Sequence, residues 1–253
     1  TVHMKGREDA EEIGRLLSLC GIRVISMPGG GSNWEDIMDA PSASLNIVVR
    51  DELGLSLAKQ MERDFGTPYM SCGLPYGTDG TMAWLSEIIE KLGAGELTRA
   101  SHEAAKLKEF LLRKGNNLES LWGPLWFDAV LISAPPSEAL GIAEAIRSEW
   151  IDTARLCIHA QCETEKSTPA ADAIRVVMKN EKEIAKDYED WQGGLVLSSS
   201  HETHLFRRMG RSFTGFHIAL PSHDEVHFSD LPQCGLRGAG YLYEQLWNAK
   251  LRK

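Results

Sequence analysis

The chain has 253 residues, 43% hydrophobic and 25% charged, which is enough apolar material for one large or two modest globular domains. Its 36 acidic residues outnumber 27 Lys and Arg, a formal net charge of −9, and a chain that repels phosphate backbones predicts no nucleic-acid partner. No run of about 18 apolar residues occurs, so no membrane-spanning helix is expected.

The five cysteines are an odd number and are scattered along the chain. Secreted disulfide frameworks usually have even counts in shorter chains, so we expect reduced thiols and a cytoplasmic protein. Residues 1–7 lack the apolar segment of a signal peptide and lead at once into a helical pattern. We interpret this abrupt start as a cut within a longer protein.

The first half alternates between helices and short strands. A capping box formed by Ser32 and Glu35 is expected to open one of the helices. The acidic pair Glu11–Glu12 is interpreted as part of a solvated helix face. Periodicity predicts a helix at 9–19, strands at 22–25 and 45–49, a helix at 52–63, a strand edge at 68–70 and a helix at 77–91.

The second half repeats this alternation, which favours parallel sheets covered on both faces. We therefore predict an α/β fold of two tandem Rossmann-like domains with parallel sheets flanked by helices, at 1–96 and 97–253. The second domain includes a connector helix at about 101–121 and the C-terminal helix. The other predicted elements are strands at 126–132, 155–158, 195–198 and 213–216, and helices at 135–150, 171–179, 181–191, 201–209 and 239–251.

Ligands of such sheets bind at the loops that follow the strands. Residues 28–32 form a Gly-rich turn before a helix, which would let the backbone approach a ligand, and Gly30 is a candidate cavity residue. The spacing matches no dinucleotide fingerprint and no phosphate-binding P-loop, so no nucleotide site is predicted. A tight strand-to-helix turn is the alternative explanation.

Two further loops carry candidate residues. Serines at 198–200 suit a helix start, and His201 lies one helical turn before His204, a pair that could ligate a metal. Zinc helices usually space such histidines by four, however, and no third ligand lies nearby in the sequence, so a surface helix start is the alternative. Residues 217–238 form a long loop rich in His, Pro and Gly, which is more often functional than a short one. Its candidates are His217, His227, Cys234, Gly235 and Arg237.

Three segments carry a family resemblance: residues 41–69, residues 74–85, and the run 197–242 with its Ser-Ser-Ser-His-Glu and Gly-Leu-Arg-Gly motifs. In this order and spacing they resemble the second and third domains of nitrogenase component 1 type oxidoreductases. The family includes nitrogenase, its cofactor-assembly scaffolds, the dark-operative protochlorophyllide and chlorophyllide reductases, and a nickel-tetrapyrrole cyclase.

The resemblance implies a subunit that pairs with a homologous or identical one and receives electrons from an ATP-hydrolysing iron–sulfur reductase. Such subunits pass the electrons through a cluster, usually Cys-ligated, to a substrate buried among three domains. The cluster cysteines belong to the family's first domain, which this chain lacks. We therefore expect no cofactor in this chain, an iron–sulfur cluster in the full-length protein, and no catalysis by the chain alone.

The resemblance also bears on two residues. The nitrogenase α chain ligates its metal cofactor from positions that correspond here to Arg50 and Cys234. A guanidinium carries only donors and cannot be a ligand, whereas a thiolate suits iron, so Cys234 is a candidate metal ligand. An arginine facing the cavity suits a carboxylate-bearing substrate such as a tetrapyrrole. A surface salt bridge is the alternative role of Arg50.

Three functions therefore compete. The first is a redox subunit that lines a cavity for a metallocluster or a tetrapyrrole. The second is a non-catalytic scaffold that holds a metallocofactor during its assembly. The third is a two-lobed protein that binds a small metabolite and contains no iron.

Overall fold

A computed structural model describes residues 5–160, 173–176, 185–186, 188–189, 191, 193–226 and 229–252. The contacts between residues divide the chain into two compact units. One contains residues 5–115 and 230–241, and the other contains the described residues of 116–229 and 242–252. The domain boundary predicted at residue 96 stays a prediction. No helix in the described part of the chain combines the length and the apolar character needed to cross a membrane.

The first unit contains a small parallel sheet in which Asn46, Ile47 and Val48 are in register with Tyr69, Met70 and Ser71. Helix α1 packs through an apolar face that includes Ile13 and Leu16, spaced as one helical stripe requires. The elements are α1 (Gly6–Leu19), α2 (Trp34–Asp39), β1 (Asn46–Val48), α3 (Asp51–Phe65), β2 (Tyr69–Ser71), α4 (Thr78–Leu92) and residues 98–115 of α5 (Thr98–Trp122), a helix that ends in the second unit.

Two predictions for this unit were wrong in detail. No strand forms at 22–25, because the N–H of Ile22 donates to the Leu17 carbonyl at 2.9 Å and completes the end of α1. The capping box that opens α2 uses Asn33 and Asp36, one residue later than expected. The Ser32 hydroxyl instead accepts a hydrogen bond from the main-chain N–H of Met27.

The second unit contains a five-stranded parallel sheet in the order β5-β4-β3-β6-β7. The predicted fold class, with parallel sheets flanked by helices, is confirmed. Helix α6 continues into a π-helical turn at Ile146–Trp150. The elements are β3 (Trp126–Ala134), α6 (Pro136–Ala145), β4 (Asp152–Ala160), β5 (Ala173–Val176), β6 (Leu195–Ser198), α7 (Ser200–Arg208), β7 (Thr214–His217) and residues 242–251 of α8 (Gly235–Leu251), a helix that begins in the first unit.

One predicted helix in this unit is a strand where the structure describes it. Residues 173–176 of the predicted helix 171–179 pair in parallel with 157–160 of β4, so tertiary pairing overrides the local helical pattern. Most of the predicted helix 181–191 lies outside the described residues.

One hydrophobic cluster of the second unit lies on the face of this sheet where α7 packs. Phe206 of α7 contacts the rings of Tyr188 at 4.6 Å and Trp191 at 5.8 Å between centroids. This aromatic cluster packs against Leu131 and Val196 of the central strands. The arrangement fixes the start of α7 relative to the ends of β3 and β6.

Candidate functional site

The second unit has a topological switch point between β3 and β6. From β3 the chain proceeds to β4 and β5 on one side of the sheet, then returns to β6 and β7 on the other. The loops that leave the carboxyl ends of β3 and β6 therefore diverge, which is where open α/β sheets bind ligands. We therefore place the candidate site of this unit at this edge of the sheet.

A row of buried polar residues crosses this edge. His159 of β4 is in register with Ser133 of β3, and Ser198 of β6 is in register with His217 of β7. The pairing of β3 with β6 places all four on the same face of the sheet. Each of the four is buried. Buried polar groups need partners, and those partners come from α7 and its N-cap Ser199, from Tyr188 and from the loop after β7.

Glu202 of α7 supplies the acceptors at the centre of this row. Its Oε1 accepts a hydrogen bond from the Ser133 hydroxyl at 3.0 Å. Its Oε2 accepts the Ser199 hydroxyl at 2.5 Å and the Ser199 main-chain N–H at 3.2 Å. Ser199 in turn caps α7, so one carboxylate connects the end of β3 to the start of α7.

His159 forms a second buried pair. Its Nδ1 lies 2.8 Å from the Tyr188 hydroxyl, and the two rings stack with centroids 5.0 Å apart. Both residues lie against the aromatic core of the unit. This pair therefore closes one end of the polar row.

His217 forms the other end of the row and contacts the loop that follows β7. Its Nδ1 lies 2.8 Å from the Ser222 hydroxyl, and its Nε2 lies 3.3 Å from the Thr203 hydroxyl and 3.4 Å from Asp224 Oδ1. Its main-chain N–H donates to Glu225 Oε2 at 3.1 Å. The predicted site residue His217 is thus buried and anchors the loop 218–226.

Asp224 joins this loop to α7. Arg207 donates to Asp224 Oδ2 at 2.5 Å, and His204 Nε2 lies 3.8 Å from the same oxygen. Burial by itself raises the pKa of the Asp224 carboxyl, but the hydrogen bond from Arg207 and the nearby imidazoles of His217 and His204 outweigh it, so the pKa is lowered. The carboxylate is therefore the stable form of this group.

The other two predicted histidines do not join this row. His201 lies in the first turn of α7 with an exposed side chain, and His227 lies outside the described residues. Among the residues that the structure describes, no group of three His, Cys, Asp or Glu is arranged to hold a metal ion. The pair His201 and His204 is consistent with the surface alternative.

In the first unit, two carboxylates of α1 organise the start of α8. Asp9 Oδ1 accepts main-chain N–H groups of Gln233 at 2.7 Å and Cys234 at 3.0 Å. Glu12 Oε1 accepts the main-chain N–H of Arg237 at 3.2 Å. Asp9 and Glu12 are both buried, which corrects the interpretation of Glu12 as part of a solvated face.

Gly235 lies where the start of α8 packs against α1. Its φ is +73°, and a Cβ on it would lie 2.5 Å from Cγ of Glu12. Its N–H donates to the Pro75 carbonyl at 2.8 Å. This position therefore requires glycine for both conformation and space. The side chain of the neighbouring Arg237 is exposed and lies 3.7 Å from Glu12.

Cys234 is fully buried in this junction, with its Sγ 3.8 Å from the main-chain oxygen of Asp9. Burial raises the pKa of the Cys234 thiol well above its ordinary value, and Asp9 and Glu12 raise it further, whereas Arg50 acts in the opposite direction. The neutral thiol is therefore the favoured form of Cys234.

Arg50 lies at the carboxyl end of β1, directly before α3, and is half-buried. Its positive charge lowers the pKa of the Cys234 thiol, against the larger effect of burial. From the predicted set, Cys234 and Gly235 are adjacent at the start of α8. Gly30 has a packing role, because a Cβ there would lie 2.7 Å from the Ala10 side chain.

The carboxylate and hydroxyl groups whose hydrogen bonds organise the two sites were not identified from the sequence. The spacing of Ser199 and Glu202 is a capping-box signal and could have identified Glu202. Asp9 and Ser133 carry no local signal, because their partners lie 224 and 69 residues away in the chain.

Comparison with known proteins agrees with the fold and confirms the family predicted from the sequence motifs. The profile of the family described as nitrogenase component 1 type oxidoreductase matches residues 2–251. A subunit of the light-independent protochlorophyllide reductase from Chlorobium phaeobacteroides (strain BS1) is 24% identical over 267 residues, which cover 96% of this chain and 48% of that protein.

Two further similarities differ in extent. The nitrogenase iron-molybdenum cofactor biosynthesis protein NifE of Clostridium pasteurianum is 36% identical over 100 residues, covering 40% of this chain and 20% of that protein. The solved structure "Nitrogenase Cp1 at pH 6.5" is similar with a TM-score of 0.74 at 18% identity, covering 98% of this chain and 58% of that one, which shows the fold. The chain spans about half the length of the proteins that it matches along most of its sequence.

Proposed function

Since this chain belongs to the nitrogenase component 1 type oxidoreductase family, we propose that it is part of a reductase subunit. That subunit lines a cavity for a tetrapyrrole substrate or a metallocluster, which is reduced with electrons from an ATP-dependent iron–sulfur reductase. The alignment of nearly the whole chain with part of a light-independent protochlorophyllide reductase supports this kind of activity. The tetrapyrrole is the favoured substrate class.

The observation that carries the tetrapyrrole proposal is the place of Arg50. A half-buried guanidinium at the carboxyl end of a parallel strand lies where α/β folds bind ligands. Its planar set of donors matches a carboxylate in a bidentate geometry, and partial burial strengthens such a pair. Tetrapyrroles of the chlorophyll series carry such carboxylates.

The residues of this chain then have binding and orienting roles. Arg50 would bind a substrate carboxylate and so orient the ring system. Asp9 and Glu12 would hold the turn at 233–237 beside it, because they bond three of its main-chain N–H groups. An iron–sulfur cluster in the full-length protein would supply electrons. Its expected partners are a homologous or identical subunit and the ATP-dependent reductase.

A scaffold for metallocofactor assembly is the second candidate, and the local 36% identity to NifE favours it. Both candidates predict iron in the full-length protein, so iron content does not separate them. Reductase-dependent turnover does, because a scaffold holds its cofactor without converting a substrate. We therefore expect multiple turnovers of protochlorophyllide by the full-length protein with an ATP-dependent reductase, and a single loading event if it is a scaffold.

Binding of protochlorophyllide to the full-length protein, followed by fluorescence, tests the role of Arg50. Loss of a charge-assisted pair costs about 1.5–3 kcal/mol, so Arg50→Ala should raise the Kd about 10–100-fold. The Kd of Arg50→Lys should lie between those of Arg50→Ala and the parent, because lysine keeps the positive charge but cannot form the bidentate pair. Arg63→Ala is the matched control, an exposed arginine of the helix α3 that follows Arg50. Equal Kd values for Arg50→Ala and the parent would refute the proposal.

A further inference from the structure

Several main-chain donors at the N-terminal end of α8 are bonded within the protein. A helix start ordinarily presents free N–H groups that attract an anion. Here Asp9 Oδ1 accepts the N–H groups of Gln233 and Cys234, and Glu12 Oε1 accepts that of Arg237. The N–H of Gly235 donates to a carbonyl of the loop before α4. The main-chain N–H groups of residues 233, 234, 235 and 237 are therefore already hydrogen-bonded.

The junction also leaves little space. A Cβ on Gly235 would lie 2.5 Å from Cγ of Glu12 and 2.9 Å from Leu16 Cδ1, so α8 is in van der Waals contact with α1 at this point. Cys234 is 0% exposed, and its Sγ lies 3.8 Å from the main-chain oxygen of Asp9, a distance at which a thiol donates weakly.

The charges around the thiol are negative on the α1 side. Asp9 and Glu12 both approach the turn, and Glu12 is itself paired with Arg15 at 2.7 Å. A thiolate beside two carboxylates would add a third negative group to a closed site. A metal there would also have to displace hydrogen bonds that hold the helix start.

We infer that Asp9 and Glu12 are positioning residues that accept main-chain hydrogen bonds at the N-terminal end of α8. Cys234 is then a neutral thiol of this junction and not a metal ligand. These contacts lie within the first unit and hold whether or not the full-length protein is a reductase. A metallocofactor of this protein would then require ligands elsewhere.

Hydrogen exchange of individual amides tests the positioning role in the 253-residue chain. Asp9→Ala should raise the exchange rates of the Gln233 and Cys234 amides at least about tenfold, since each loses a hydrogen bond to a charged acceptor. Asp9→Asn keeps an acceptor oxygen and should largely restore protection. Glu11→Ala is the matched control, because its side chain is exposed and pairs with Arg7 of the same helix. Unchanged exchange in Asp9→Ala would overturn the inference.

Cobalt binding tests the second half of the inference, in both this chain and the full-length protein. Co²⁺ is added anaerobically to the parent, Cys234→Ser and Cys72→Ser proteins, and the thiolate-to-cobalt absorption is recorded. The spectra of the parent and Cys234→Ser should be equal. A band present in the parent and in Cys72→Ser but lost in Cys234→Ser would overturn the inference.

Alkylation of the parent protein gives the same answer if Cys234→Ser does not fold. Iodoacetamide should label Cys234 only after denaturant is added, and Co²⁺ should not change the labelling rate, as read by peptide mass spectrometry. Rapid labelling that Co²⁺ blocks would show an accessible, metal-binding thiolate and refute the neutral-thiol assignment.

Discussion

Replacement of Glu202 by alanine should be among the most damaging single changes in the second unit. The carboxylate is buried and accepts the Ser133 hydroxyl, the Ser199 hydroxyl and the Ser199 main-chain N–H. Alanine removes the acceptor and leaves these donors in a closed environment. It also removes half of the capping box that starts α7.

The magnitude follows from these three bonds. A hydrogen bond to a charged group contributes about 1.5–3 kcal/mol, and neighbouring bonds are not additive. Loss of one partner of a buried charged network typically costs about 3–5 kcal/mol. We therefore expect Glu202→Ala to lower the free energy of unfolding by about 3–5 kcal/mol. Glu202→Gln keeps one carbonyl oxygen and should cost about 1–2 kcal/mol.

Urea denaturation followed by tryptophan fluorescence measures this change, because Trp191 lies in the adjacent core. Glu144→Ala is the matched control, an exposed glutamate on α6 of the same unit, and it should change the free energy of unfolding by less than about 0.5 kcal/mol. If Glu202→Ala and Glu144→Ala differed by less than about 1 kcal/mol, the network around Glu202 would not have the stabilising role assigned to it.

Three other predictions concern single residues. Because the pKa of the Asp224 carboxyl is lowered in the folded protein, this group stabilises the fold above the ordinary carboxyl pKa, and that stabilisation is lost as pH falls through the lowered pKa. Arg207→Ala should raise the pKa of the Asp224 carboxyl, which NMR titration of the side chain measures. Burial raises the pKa of the Cys72 thiol to about 12, so iodoacetamide at pH 8 should react about 10³-fold more slowly with the native protein than with the unfolded chain. Gly235→Ala should lower the melting temperature more than Gly210→Ala, because both have positive φ but only the first would place a Cβ against a buried side chain of α1.

Much of the fold could be predicted from local pattern. Helices α3, α4 and α5 have strong periodicity, and the glycines Gly66 and Gly93 end α3 and α4 in the left-handed conformation. The errors occurred where a short segment is defined by its tertiary surroundings. Residues 173–176 form a strand because β4 lies beside them. Residues 22–25 form no strand, and the N–H of Ile22 instead bonds to the last turn of α1.

The candidate site residues also divide into those that the sequence identifies and those that only a tertiary contact defines. The family resemblance identified Arg50, Cys234 and Gly235, which all belong to the first unit. It did not identify Asp9, since an aspartate in the first turn of a helix is ordinarily a solvated group that favours the helix dipole. Only the return of the chain 224 residues later turns this side chain into an acceptor for the α8 turn.

The charges of the first unit bear on the choice between the two proposed substrates. A metallocluster ligated at Cys234 would need a thiolate in a place where burial and two carboxylates favour the neutral thiol. A substrate that carries its own carboxylate needs no ligand from this junction, because Arg50 supplies a cation at the end of β1. We therefore expect tetrapyrrole binding to depend on Arg50 and to be indifferent to Cys234→Ser.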